Sequence, residues 1–282
     1  MRVLINRQAV NSNIKKAKTL AHNVPVSLLF KDFYEDIADI IEEDVFDVFA
    51  MHRPLANCYS IGRAKDFHTG TVVTSVNQIH EGLSQLKRVF IPINMYDNRE
   101  GLTVERVRRV AKAIKKTYPA LRIFGLVTSG CLNERAPSVE ELWKVWDELS
   151  DVIYAISLGG SFWLGKDEAL PPFVRDIRIG EYMLFGTIPY DSDKKKQGTN
   201  AITIEATVIG VYPERNHILI DCGYSIAEPD KCEYPKDVFY VDSSSEYTIL
   251  YTKAKYVVGN KIMMKPNYKS LVKLRDAVRD YI

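Results

Sequence analysis

An α/β chain, a (β/α)8 TIM-type barrel followed by a small all-β domain, is what three observations predict. Short apolar runs alternate with helix-period segments over residues 7–188. The alternation stops at PYDSDKKKQGTN, residues 189–200. Beyond it stand only short segments rich in β-branched and aromatic residues, separated by turn residues.

The opening VLIN precedes AVNSNIKKAKTLAHN, whose apolar spacing predicts a helix, and VPVSLLF is a short apolar run that ends just before Lys31. Lys31 is therefore expected at the C-terminal tip of a strand. DIADIIEED reads as a helix and DVFAMH as extended; GTVVTSV precedes helical NQIHEGLSQL, and RVFIPINM precedes helical TVERVRRVAKAIKKTY. LRIFGLVTSG leads into helical SVEELWKVWDELS, and VIYAISLGGS and DIRIGEYMLFG close this half. With VLIN these are eight candidate strands, and the stretch from Arg53 to Phe67 has room for another. The Pro, Asp, Lys and Gly of 189–200 read as a linker between a barrel over 7–188 and a β-domain over 199–282. In that domain AITIEATVIGVY, HILIDCGYSI, DVFYVDSS, YTILYTKAKYV and KIMMKPNY are the expected strands.

With 282 residues and 46% hydrophobic content, the chain is long enough to bury a large core. Its 38 Lys and Arg against 36 Asp and Glu, a formal charge of +2, give no electrostatic reason to expect a nucleic acid or a membrane surface as partner. The start MRVLINRQAVNSN has no apolar signal core, and no apolar run approaches the roughly 20 residues of a membrane helix, so a cytoplasmic location is expected. Cys58, Cys131, Cys222 and Cys232 form no C-x-x-C pair and read as free thiols, with no metal site expected.

A lysine that follows a buried strand is open to desolvation, which penalises the ammonium and frees the amine for imine formation; a solvated loop start explains the same residue. In LGGSFWLG, Gly159, Gly160 and Ser161 follow a candidate strand and can offer backbone N–H groups and a hydroxyl to an anion, or simply form a tight turn. The next strand carries Arg178 and Gly180, and barrel enzymes often bind phosphate on the loops after their last two strands. MYDNREGL brings Asp97, Arg99 and Glu100 to the same barrel end, as ligands or as a salt-bridged loop.

A lysine ending an early strand, then D-x-R-E-G, then G-G-S, then R-I-G-E with an apolar run and glycine, in this order, resembles the alanine racemase superfamily, and most nearly its ornithine racemase-like branch. The resemblance runs through most of Leu28 to Gly186 and resumes at VGNKIMMKPNYKSLVKL. It implies a pyridoxal phosphate (PLP)-binding barrel with Lys31 as the Schiff-base lysine, Gly160 and Ser161 on the phosphate, and Arg178 of the R-x-G motif, with Gly180, at the pyridine nitrogen. It also implies Arg99 near the phenolic oxygen and Tyr268 near the phosphate. The lysine strand becomes the first of the barrel, the N-terminal strand 1–6 joins the β-domain, and Arg53 to Phe67 must then supply the missing strand.

The activity so implied is amino-acid racemisation, for ornithine or another basic substrate, in a homodimer. A permanently charged guanidinium at the pyridine nitrogen weakens the electron sink and favours proton exchange, whereas decarboxylases of the fold keep a carboxylate there. Racemisation needs an acid or base on each face of the reacting carbon; Lys31 serves one. The family's tyrosine for the other face belongs to a β-domain segment that is shortened here, where GVYPERNHILIDCGYS runs directly on; Tyr224 and Cys222, just beyond, are the candidates for its place, Tyr224 first, with packing as the alternative role for each. Two further departures are DFYED after Lys31 and Ser129 where the family has histidine. The alternatives are a PLP-dependent lyase or decarboxylase that admits a larger amino-group substrate, and a noncatalytic PLP-binding protein. The metal-dependent relatives that act on D-threonine or D-serine keep a histidine and a cysteine near a P-N-H motif that is PNYKS in this chain, so that branch is not expected.

Overall fold

The computed structural model describes residues 1–22, 24–31, 35–52, 57–61, 68–95, 100–127, 137–189, 191 and 193–282, without the side chains of 31, 35, 50–52, 57–61 and 68–69. The first half contains β1 (Arg2–Ile5), α1 (Arg7–Leu20), β2 (Val26–Lys31), β3 (Val48–His52), β4 (Asn57–Ile61), β5 (His68–Val72), β6 (Arg88–Ile93) and α2 (Val104–Thr117). There follow β7 (Arg122–Val127), α3 (Val139–Leu149), β8 (Ala155–Gly159), β9 (Val174–Ile179) and α4 (Glu181–Phe185). The last part is β10 (Ile202–Tyr212), β11 (His217–Ile220), β12 (Val238–Ser243), β13 (Thr248–Thr252), β14 (Lys261–Met264) and β15 (Arg279–Tyr281).

The three long helices form where apolar residues recur at helical spacing. α1 buries Val10, Ile14 and Ala17 and is capped by Asn6, whose side chain accepts from the Ala9 N–H. α2 buries Val107, Val110, Ala111 and Ile114, and α3 starts on a Ser138–Glu141 capping box and buries Leu142, Val145 and Leu149. Two expected helices take a tighter form. DIADIIEED gives the 3₁₀ segment Glu35–Ile40, in which Ile37 and Ile40 are buried at the three-residue repeat of that geometry. NQIHEGLSQL gives two short pieces, Val76–Gln78 and Glu81–Gln85. There the Gln78 side chain takes the N–H groups of Thr74 and Ser75, and the His80 ring takes that of Gly82, so side chains satisfy donors that would otherwise feed a helix.

Strands β2 to β9 hydrogen-bond in a closed order. β4 is antiparallel to both its neighbours and the other pairings are parallel, so seven strands run one way and one is reversed. The regular (β/α)8 alternation is therefore not kept. The strand missing from the count is β4, from the stretch Arg53 to Phe67. Only residues 53–56 separate it from β3, too few for the crossover a parallel partner needs, so it pairs antiparallel.

Phe49, Val72, Phe90, Phe124, Leu126 and Ala155 form one apolar cluster, with Phe90 edge-on to Phe49 at 5.2 Å and stacked on Phe124 at 5.5 Å. At the strands' N-terminal ends, Asp47 pairs with both Arg88 and Arg175, and the Arg175 guanidinium lies 4.7 Å from the Phe124 ring centroid. Burial lowers the pKa of both arginines.

Outside the barrel, β12-β13-β11-β10-β1-β15 hydrogen-bond in that order and β14 also pairs with β10. The N-terminal strand thus lies between the chain's last strand and β10, and the Met1 amine bonds Asp221 at 2.8 Å. The stretch expected as a free linker is clasped to the barrel helices. Asn13 of α1, 1% exposed, donates to the carbonyls of Met183 (3.1 Å) and Thr199 (2.6 Å) and accepts from the Thr199 N–H at 2.8 Å. Among the described residues no helix is long and apolar enough to cross a membrane.

Replacing Asn13 with Ala orphans buried backbone groups at the clasp, each worth roughly 1–3 kcal/mol. Asn13→Ala is expected to lower the urea midpoint clearly; an unchanged midpoint would remove the clasp from the account.

Candidate functional site at the barrel strand ends

Parallel strands deliver their C-terminal residues to one rim, and the register fixes which of them meet. β2 lies against β9 with Ser27 opposite Arg178 and Leu28 opposite Ile179, so β2 runs on past this pairing to Lys31. On the other side of β9, Gly159 stands opposite Arg178 and the Gly160 N–H bonds the Arg178 carbonyl at 3.1 Å. The ends of β2, β8 and β9 are thereby stitched side by side, and they carry Lys31, Gly160–Ser161 and Arg178–Gly180.

Gly160 takes a φ of +108°, which an L side chain rarely adopts, and this turns the chain sharply off β8 into Ser161–Trp163. Ser161 is 3% exposed, and its Oγ accepts from the Tyr182 N–H at 3.2 Å, which leaves the hydroxyl proton to donate. The Tyr182 phenol donates to the Lys196 carbonyl at 2.6 Å, and burial pushes its pKa up to about 12.

Arg178 is 4% exposed. One terminal nitrogen donates to the Ser157 carbonyl (2.9 Å) and hydroxyl (2.7 Å), the other to the Val127 carbonyl at the end of β7 (2.8 Å). The guanidinium carbon is also 5.4 Å from the Phe49 ring centroid. The cation is thus held across β9, β8 and β7 and against β3.

A Cβ built on Gly180 would stand 2.8 Å from the Leu29 carbonyl oxygen and 3.0 Å from the Tyr268 hydroxyl. This close approach of β9 to β2 needs glycine, and it places the Tyr268 hydroxyl at the strand-end cluster. Tyr268 opens the segment Tyr268–Asp276 and packs edge-on against Phe185 of α4 at 5.8 Å.

Of the residues chosen from the sequence, Gly160, Ser161, Arg178, Gly180 and Tyr268 lie together at the ends of β8 and β9, and β2 carries Lys31 three residues beyond its pairing of Leu28 with Ile179. The Lys31 side chain, Arg99 and Ser129 lie outside the described residues. Among the described residues no contact brings Tyr224 to this cluster. Its hydroxyl meets that of Tyr240 at 3.2 Å, a hydrogen bond that raises its pKa, and its carbonyl accepts from Lys273. Cys222 is fully buried, and burial pushes its thiol up to about 12, as befits a core residue. Sequence reasoning missed Ser157, the residue that anchors Arg178; a lone hydroxyl in the apolar strand AISLG was its signal.

No family model matches the chain. A D-serine dehydratase of Dictyostelium discoideum is 25% identical over 121 residues, 35% of this chain, and the match spans only 31% of that protein's length. An alanine racemase from Bartonella henselae, solved with covalently bound pyridoxal phosphate, superposes with a TM-score of 0.74 at 15% identity, over 100% of this chain and 98% of that one. A D-threo-3-hydroxyaspartate dehydratase from Delftia sp. HT23 superposes with a TM-score of 0.63 at 13% identity, over 97% and 92%. These likenesses give the chain an alanine racemase-like fold.

Gly180→Ala forces a Cβ against a backbone carbonyl and is expected to cost about 1–3 kcal/mol; thermal unfolding of the variant reads this directly. For Tyr182, the neutral phenol is the form the fold favours. Its contribution is complete below the ordinary tyrosine range near 10 and is lost as pH rises through about 12. The stability advantage of wild type over Tyr182→Phe should accordingly narrow between pH 9 and 11 in urea titrations, and a constant gap would contradict the burial effect.

Proposed function

We propose that this chain is a PLP-dependent amino-acid racemase, acting on ornithine or another basic amino acid, and the observation that carries the reading is the buried Arg178 guanidinium fixed at the strand ends that also carry Gly160, Ser161, Gly180 and Lys31. The residues fit the cofactor. Gly160 gives a turn that only glycine makes easily, and Ser161 and Tyr268 offer hydroxyls for a phosphate. Glycine at 180 adds no Cβ against the Tyr268 hydroxyl. Lys31 would hold the carbonyl carbon, Arg178 would face the pyridine nitrogen, and Arg99 would approach the phenolic oxygen. When bound, PLP delocalises the electrons of a broken bond at Cα and so acidifies the Cα–H.

The protein's own part is placement and proton traffic. Arg178 stays charged and can only donate hydrogen bonds, so a pyridine nitrogen facing it would stay unprotonated and the electron sink would be weak, which favours proton exchange over loss of carbon dioxide. Lys31 exchanges the proton on one face. For the other face the reading assigns Tyr224 from the sheet of a second copy in a homodimer; the hydrogen bond with Tyr240 keeps its proton on, so it acts as donor.

A second reading, β-elimination of water from a hydroxy amino acid, is favoured by the likeness to a D-serine dehydratase. It uses the same lysine and cofactor pocket but releases a 2-oxo acid and ammonia.

Borohydride reduction of the PLP-loaded protein with peptide mapping is expected to place the pyridoxyl group on Lys31. Chiral chromatography across amino acids, basic ones included, should then find one that is inverted. Lys31→Ala should reduce that turnover by about 10²–10⁴-fold or more, the range for loss of a positioned acid–base group. Oxo-acid release without inversion would select the elimination reading, and absence of the label on Lys31 would overturn both.

A further inference from the structure

A second polar pocket lies outside the strand-end cluster. It has a volume of about 410 Å³ and is lined by Thr74, Ser75, Val76, Asn77, Arg106, Arg109 and Val110. The first four follow β5, and the rest come from the first half of α2. β5 stands four places from β9 in the closed order of eight strands, so the pocket is on the opposite side of the barrel from Arg178 and Gly180.

Helical geometry explains why these side chains converge. Arg106, Arg109 and Val110 are spaced i, i+3 and i+4 and so share one face of α2. Arg108, on another face, is ion-paired with Asp151 at 2.7 Å. Among the described residues neither Arg106 nor Arg109 makes an ion pair, and no acidic side chain lines the pocket. Two like charges three residues apart repel, and among the described residues nothing that lines the pocket offsets them. Across from them the Ser75 Oγ accepts from the Asn77 N–H at 3.2 Å, which leaves its own proton to donate, and the Asn77 side chain adds an amide donor.

We infer that this pocket binds the phosphoryl group of a small anionic metabolite, at a site separate from the Arg178 and Gly180 cluster. Two planar guanidinium forks with hydroxyl and amide donors opposite match a tetrahedral oxyanion with several terminal oxygens. The volume exceeds what a bare phosphate needs and lies within the range of small-ligand pockets, so the group carries a further substituent. The inference is independent of the activity proposed above.

The test is calorimetric titration of the protein, saturated with PLP so that the strand ends are filled, with inorganic pyrophosphate and with glucose 6-phosphate in a phosphate-free buffer. Saturable binding of either probe is expected, and the tighter one tells polyphosphate from phosphomonoester. Arg106→Glu/Arg109→Glu should weaken it by about tenfold or more, as loss of charge-assisted bonds to a phosphoryl group requires. Lys194→Glu/Lys195→Glu changes the net charge equally at exposed positions away from the pocket and should leave binding intact. Absence of saturable binding, retention in the arginine variant, or equal loss in both variants would overturn the inference.

Discussion

A guanidinium can be taken out of water only if its N–H groups are met and its charge is compensated, and Arg178 imposes that demand at the centre of this structure. Among the described residues the demand is met by Ser157 on β8, the last carbonyl of β7 and the Phe49 ring on β3. Three consecutive strand ends are therefore held to one geometry by a single side chain. Gly160 and Gly180, on either side of it, place backbone at the rim where other residues would place side chains. The site is rigid where the fold is rigid, which is what a pocket for a reactive carbonyl cofactor requires.

The opposite end of the strands is closed by a different device. Asp47 joins Arg88 to Arg175, and the aromatic cluster of Phe49, Phe90 and Phe124 fills the space beside them, with Arg175 over two of those rings. Polar groups thus mark both ends and apolar ones fill the middle. β9 supplies both arginines, Arg175 toward one end and Arg178 toward the other, and so registers the two ends against each other. Asp176 lies between them on the same strand, fully buried, 3.5 Å from the Arg175 guanidinium.

How much of this was legible in the sequence depends on whether a local pattern or a distant partner determines the element. The three long helices could be read because their apolar spacing is helical and their caps are local, as with Ser138 and Glu141. Arg178, Gly180, Gly160 and Ser161 could be found because a motif on adjacent strand ends is contiguous in sequence. β4 could not: NCYSI has no apolar alternation, and its strand state comes from the neighbours it pairs with. β15, the sequence RDY, is likewise made by its pairing with β1. Glu35–Ile40 and Glu81–Gln85 were misread because apolar residues three and four apart suit both helical forms, and only the local hydrogen bonds decide. The linker over 189–200 looked free because its anchor, Asn13, is more than 170 residues away in the chain.

The second face of the reacting carbon is where the strand-end chemistry depends most on what lies beyond one chain. Lys31, Arg178, Gly160 and Ser161 stand at strand ends of a single barrel, whereas Tyr224 is held by Tyr240 and Lys273. Cys222, two residues earlier, is excluded by burial, since a thiol pushed up to about 12 neither gives nor takes a proton readily near neutrality. A chain that completes only one face by itself can exchange a Cα proton with retention, or eliminate a leaving group on that side. Inversion requires the other face to be supplied. In the proposed racemisation, stereochemical outcome is therefore tied to assembly: one chain offers Lys31 for one face, and a second copy offers the group for the other.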